Sequence, residues 1–236
     1  MGHRPRTRRA RALSRPRIGD PATFIRENTR LQAPPHVPEI SLHLADEAMD
    51  LWKLTEEELD TLGLPLPFWA FAWAGGQALA RYVLDHPETV AGRDVLVFAA
   101  GSGLEAIAAV KCGARRVVAT EIDPFALVAM ELNAAMNGVR FEIADVDVLD
   151  LGYSGLPFRP ETVLLGDVFF ERPLATRVAA FAAAAVAAGA LALVGDPGRS
   201  YLPKDRLESL AEYRVPVTRA LEDAEVKRTV VWRFTG

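Results

Sequence analysis

From residue 92 onward, apolar positions gather into short continuous runs separated by longer amphipathic stretches, the rhythm of strands alternating with helices. Asp94–Ala99 is apolar after its first residue, as a strand buried on both faces requires. Gly101-Ser102-Gly103 then turns the chain into a helix to about Lys111. The same alternation predicts a strand at Arg116–Thr120, a helix at Pro124–Met136 and a weaker strand at Val139–Ile143. It continues with a strand at Thr162–Gly166, an Ala-rich helix at Leu174–Ala188 and a strand at Ala190–Val194. A short helix is expected at Lys204–Ala211. The strands Tyr213–Thr218 and Arg228–Phe234 should pair antiparallel, because no helix-length segment separates them.

Upstream the pattern is mixed. Ile40, Leu42 and Leu44 alternate with polar neighbours in Glu39–Leu44, a short strand pattern. Ala45–Leu62 reads as a helix, with Thr55 and Glu58 spaced as a capping box and Gly63 and Pro65 as the stop. The aromatic cluster Phe68–Trp73 precedes a helix at about Gly76–Leu84. The expected class is therefore α/β: a doubly wound, mostly parallel seven-stranded sheet with a C-terminal antiparallel hairpin, behind a helical and extended lead-in. The boundaries are 1–20 for a basic tail, 21–91 for the lead-in and 92–236 for the core.

Composition narrows the function. Half of the 236 residues are apolar and a quarter charged, enough to bury a proper core. With one cysteine, Cys112, neither a disulfide framework nor a cysteine-based zinc site can form. His3, His36, His43 and His86 show no metal-ligand spacing, so no metal is expected. The longest apolar run, 178–194, is Ala-rich and carries Gly189, and no membrane span is expected. The net charge of −4 hides seven arginines in the first 17 residues, which leave 20 bases against 31 acids in the rest. An acidic body argues against nucleic-acid binding, which needs a basic face. The Arg-rich head reads as a disordered tail, a transit peptide or a tail for acidic partners. A cytoplasmic, bacterial location follows from the first and a mitochondrial matrix location from the second.

In a doubly wound sheet, ligands bind beyond the C-terminal ends of the strands, where the strand order reverses. These ends carry the glycine turn, then Glu121 and Asp123, then Asp145, Asp147 and Asp150, then Asp167 with Glu171 four residues on, then Asp196. The turn Gly101-Ser102-Gly103-Leu104-Glu105-Ala106, with Glu121 20 residues beyond its first glycine, suits an adenosine-type cofactor. A dinucleotide pyrophosphate would be repelled by this many carboxylates, whereas the sulfonium of S-adenosyl-L-methionine is attracted.

On these residues the chain resembles the seven-strand, Rossmann-like S-adenosylmethionine-dependent methyltransferases. Val95–Glu105 looks like their first motif, and Val118–Pro124 with Asn133 and Asn137 like their second. Two positions depart from the family pattern: Val97 stands where an acid is usual and Ala99 where a glycine is usual. Gly166-Asp167-Val168-Phe169-Phe170-Glu171 resembles the Asp-x-x-Tyr-Glu signature of a subgroup of protein lysine methyltransferases, with Phe170 in place of the tyrosine. Gly195–Pro203 and Phe68–Trp73 point within that subgroup to the electron transfer flavoprotein β-subunit lysine methyltransferases and their bacterial relatives.

The resemblance implies S-adenosylmethionine as cofactor and the electron transfer flavoprotein β subunit as protein partner. Ala99, Gly101 and Gly103 would give the cofactor close backbone approach, and Glu121 would bind its ribose hydroxyls. Asp147, ahead of Asp145, would meet the adenine amino group, with Ile122 and Val148 sandwiching the ring. Trp69 and Trp73, four apart, would share a helix face. Trp73 would then roof the cofactor. A lysine acceptor must attack unprotonated, although its pKa in water is about 10.4. Asp167 and Glu171 are the candidate catalytic residues, a carboxylate pair for the ammonium flanking apolar Phe169 and Phe170. Asp167 counts among the cofactor contacts as well, since it follows its strand directly. A small-molecule N-methyltransferase and a non-catalytic binding module on the same fold remain as alternatives.

Overall fold

The structure, a computed structural model, describes residues 20–45, 66–218 and 224–236. Most of the basic tail and the expected helix at Ala45–Leu62, with its capping box, lie outside the described residues. Within them the chain forms α1 (Pro21–Asn28), β1 (Arg30–Gln32), β2 (Leu42–Leu44), α2 (Ala74–Asp85), β3 (Asp94–Phe98) and α3 (Leu104–Lys111). It continues through β4 (Arg116–Glu121), α4 (Pro124–Met136), β5 (Glu142–Asp145), α5 (Val148–Leu151), β6 (Thr162–Gly166) and α6 (Arg172–Ala187). The last elements are β7 (Leu191–Asp196), β8 (Leu207–Pro216) and β9 (Val226–Phe234).

Seven strands form one sheet in the order β5-β4-β3-β6-β7-β9-β8. β3 to β7 are parallel, and β9 enters antiparallel between β7 and β8. The doubly wound sheet and its closing hairpin are thus both present. The order reverses beside β3, between the starts of its outward runs to β4 and β6.

Each central strand is buried on both faces because its residues alternate between two cores. Val95 and Val97 join Ala78, Leu79, Ile107 and Met130 on the side of α2, α3 and α4. Leu96, Val163 and Leu165 join Val178, Phe181 and Ala182 on the side of α6. The lead-in is pinned to the first side by Asn133 of α4 and by Asn137 at that helix's C-cap. The buried amide of Asn133 accepts from His43 N (2.8 Å) and donates to Ser102 O (2.8 Å), joining β2 to the glycine turn. Asn137 accepts from Ser41 N (3.0 Å) and donates to its carbonyl (2.6 Å).

At Lys204–Ala211 the structure departs from the helix expected from sequence. Lys204–Arg206 is a single 3-10 turn, and Leu207–Ala211, expected to be helical, is strand β8. Its Leu, Glu and Ala residues favour helix, but pairing with β9 overrides that preference. Glu208 pairs with Arg233 and Glu212 with Arg228 across the strands. The weaker third strand also begins later, at Glu142, in register with Val118.

Candidate active site

A cavity of about 690 Å³ lies where the strand order reverses, at the C-terminal ends of β3, β4 and β6. Its walls include Phe98, Ala99, Gly101, Glu121, Ile122, Asp123, Val146, Asp147 and Asp167. Leu66, Phe68, Trp69, Trp73 and Phe170 close it from the lead-in and the loop after β6. Arg199 is the one basic residue among the described lining residues.

The floor is tied together by Glu121. Its Oε2 accepts from Gly101 N (3.1 Å) and its Oε1 from Ile122 N (2.8 Å), so the carboxylate fastens the glycine turn to the end of β4. Ile122 is 65% exposed, an apolar side chain held open over the cavity. Asp123 caps α4 through Phe125 N (2.8 Å), and burial pushes its pKa up to about 6. Asp147 caps α5 through Leu149 N (2.9 Å), while its other oxygen meets Arg177 of α6 (3.1 Å).

Several sequence expectations are relocated by this geometry. Val148 is 1% exposed and belongs to the α6-side core; Val146 and Leu149 face the cavity instead. The cause is a parity shift, because Asp147 turns the backbone into α5. Gly103 is outside the cavity wall. Its φ of +82° opens α3, and a Cβ there would stand 3.1 Å from Met130 Cγ, so its smallness serves packing. Trp69 and Trp73 share no helix face. Trp69 lies in a 3-10 turn, 2% exposed and stacked on Phe125 (6.4 Å, 12°), while Trp73 precedes α2. Both line the cavity, and Trp73 is edge-on to Phe68 at 5.8 Å. Glu171 is exposed at the start of α6, outside the wall but next to Phe170. Phe169 is fully buried and Phe170 is 45% exposed at the rim.

Asp167 is held on both carboxylate oxygens. Its φ is +58°, unusual for a non-glycine residue, and its side chain is 5% exposed. Its Oδ2 accepts from Gly75 N (2.8 Å), capping α2, whose own N-cap Trp73 offers no side-chain cap. Its Oδ1 accepts from Arg199 Nε at 2.6 Å. Ala99 also has a positive φ, +47°, at the departure from the usual glycine. The α2 helix sits directly on the sheet: a Cβ on Gly75 would overlap Gly195 O and stand 2.8 Å from Asp167 N.

Two acids stand behind the wall: Asp196, which the sequence places at a strand end, and Glu105, which sequence reasoning missed. Asp196 accepts from Gly198 N (2.6 Å) and Arg199 N (2.7 Å), and burial raises its pKa to about 6. Glu105, on the first turn of α3, packs its carboxyl against the backbone at Gly76 and Gly166. Burial, with the charge of Asp167 adding, raises its pKa to about 7. The sign follows. The folded chain holds this proton longer than the unfolded chain, so stability is lost as pH climbs from about 4.5 to 7. Glu105→Gln should therefore gain roughly 3 kcal/mol over the parent above pH 7 and nothing at pH 4, read by urea melts. Identical pH dependence in both proteins would refute this.

The cavity offers what S-adenosylmethionine requires. A carboxylate at the end of β4 suits a ribose diol, Ile122, Val146 and Leu149 suit a flat base, and Glu121, Asp123, Asp147 and Asp167 suit a sulfonium. With four acids against the one lining base, Arg199, the wall disfavours a pyrophosphate. This is the fold and site of a Rossmann-like, S-adenosylmethionine-dependent methyltransferase.

Comparison with known proteins agrees. Residues 78–154 match the family described as ribosomal protein L11 methyltransferase (PrmA). The chain is 33% identical over 218 residues to the electron transfer flavoprotein beta subunit lysine methyltransferase of Rattus norvegicus, covering 89% of this chain and 83% of that one. It is 34% identical over 222 residues to the protein of that name from Danio rerio, covering 91% and 83%. A crystal structure named as a methyltransferase and complexed with SAH shares the fold at a TM-score of 0.53, with 10% identity over 82% of this chain and 53% of that one. The chain belongs to the electron transfer flavoprotein beta subunit lysine methyltransferase family. It is a methyltransferase, and its cofactor is S-adenosylmethionine.

Proposed function

We propose that the chain methylates a lysine side chain of an electron transfer flavoprotein β subunit. The observation that carries this reading is the buried carboxylate of Asp167, in the wall of the same cavity that Phe68, Trp73 and Phe170 line. Carboxylate plus aromatic faces is a site for an organic cation. The names of the relatives support the lysine and the protein partner. Among the described residues, no helix is long and apolar enough to cross a membrane. The acidic cavity also favours a protein acceptor over a nucleic acid.

When bound, S-adenosylmethionine supplies a methyl group on an electrophilic sulfonium. The chain's task is then to orient the acceptor nitrogen, which can lower the barrier by roughly 7–11 kcal/mol in well-aligned systems. Asp167 and Glu171 steer the ammonium inward. Phe68 and Phe170 (5.8 Å apart) shelter it from water and favour its neutral, attacking form. The proton leaves to solvent past exposed Glu171.

Tritiated-methyl transfer tests the assignment. The purified chain is mixed with the β subunit, with its lysine-to-arginine variants, and with small amines. Label should enter the β subunit and vanish when one lysine is replaced. Label in small amines alone would overturn the protein reading.

A further inference from the structure

We propose that Arg199 is a built-in stand-in for the acceptor cation, occupying the acceptor's seat until a substrate displaces it. The inference rests on the lysine-acceptor reading and names a residue that sets access to that same site. Three observations carry it. Arg199 Nε lies 2.6 Å from Asp167 Oδ1, on the carboxylate placed to receive an ammonium. Its guanidinium carbon stands over the Trp73 ring, 5.9 Å from the centroid, so it already has both the charge partner and the aromatic face of a cation site. And the residue is anchored by its backbone. Asp196 Oδ1 accepts from both Gly198 N and Arg199 N, which holds the turn after β7 whatever the side chain does.

The charges are consistent with an exchange rather than an addition. Asp167 is 5% exposed and has one guanidinium beside it; a second cation on the same carboxylate would face repulsion from the first. Arg199 is more exposed, at 21%, and its long side chain has rotamers that point away from Asp167. In the resting chain it keeps Asp167 compensated, and so keeps the cap on α2 in place. A solvent cation with weaker complementarity than a presented lysine gains nothing by replacing it. The stand-in thereby works as a filter for acceptors that bring further contacts.

Two variants test this with different readouts. Arg199→Ala empties the seat. Without any cofactor, methylguanidinium should raise the melting temperature of Arg199→Ala and leave that of the parent unchanged. The KM for a lysine acceptor should fall about tenfold, the worth of one charge-assisted hydrogen bond no longer contested. Arg199→Lys places an amine nitrogen where the guanidinium carbon stood. After losing its proton to solvent, that amine forms an N–C bond as the donor's S–C bond breaks. The electron pair stays on sulfur and S-adenosylhomocysteine departs. Intact-mass and peptide mapping should then find methyl on the peptide carrying position 199, and none on that peptide of the parent.

A parent that methylates a lysine acceptor, with no cation binding by Arg199→Ala and no methyl on Arg199→Lys, overturns the stand-in and makes Arg199 a fixed clamp. Cation binding by Arg199→Ala with no lysine methylation by the parent leaves the stand-in supported and overturns the lysine reading instead. If Arg199→Ala fails to fold, Arg199→Lys still decides, because it keeps a cation beside Asp167.

Discussion

Glu121→Ala should weaken S-adenosylmethionine binding by about 1.5–3 kcal/mol, the range for hydrogen bonds to a charged group. Titration calorimetry would read this as roughly a tenfold to hundredfold loss of affinity. The carboxylate has two duties. It faces the cavity from the end of β4, and it accepts from Gly101 N and Ile122 N. Alanine removes the diol acceptor and also releases the glycine turn from β4. Glu121→Gln separates these duties. The amide can still accept one backbone N–H, but its NH2 group faces another donor, so affinity should fall between parent and alanine variant. Unchanged affinity in Glu121→Ala would move the ribose elsewhere and unseat the charge argument for the cofactor.

The second large effect concerns Glu171. Glu171→Gln should bind S-adenosylmethionine as the parent does and transfer methyl roughly 10²-fold more slowly, the lower end for a positioned proton-handling group. The structure motivates the separation of the two readouts: Glu171 is exposed at the start of α6 and outside the cavity wall, one residue past the rim residue Phe170. It offers no side-chain cap to α6, so its carboxylate is not tied to the helix. The amide keeps shape and polarity but loses the charge that attracts an ammonium. Transfer at the parental rate would leave Glu171 a surface residue and put the acceptor's steering on Asp167 alone.

What could be read from sequence divides along physical lines. The parallel strands announced themselves because burial on both faces demands unbroken apolar runs, as in Val95–Phe98 and Val163–Leu165. The acidic strand ends followed from topology once those strands were placed. Leu207–Ala211 misled because its residues prefer helix locally and its strand partners lie 20 to 27 residues away, in β9. Val148 misled by one position, since Asp147 converts an extended chain into a helical one and so swaps which side chain faces inward. Glu105 gave no local sign. It reads as a polar residue on a helix, and only the bare backbone at Gly76 and Gly166 reveals why it is buried. The Asp167–Arg199 pair joins residues 32 apart, a contact no spacing rule anticipates.

The seating of α2 has one further consequence, for how this chain can diverge. Gly75 and Gly195 face each other so closely that a side-chain carbon on either would overlap the other's carbonyl oxygen. The helix therefore has no spacer beneath it. Neither position can drift by single steps, and enlarging both together only compounds the overlap. The one escape is to lift the helix, which would draw Gly75 N away from Asp167 and carry Trp73 off the cavity. The height of the roof is thus written in two glycines 120 positions apart. A homologue bearing alanine at either position declares, by that one residue, an acceptor entrance built to different dimensions.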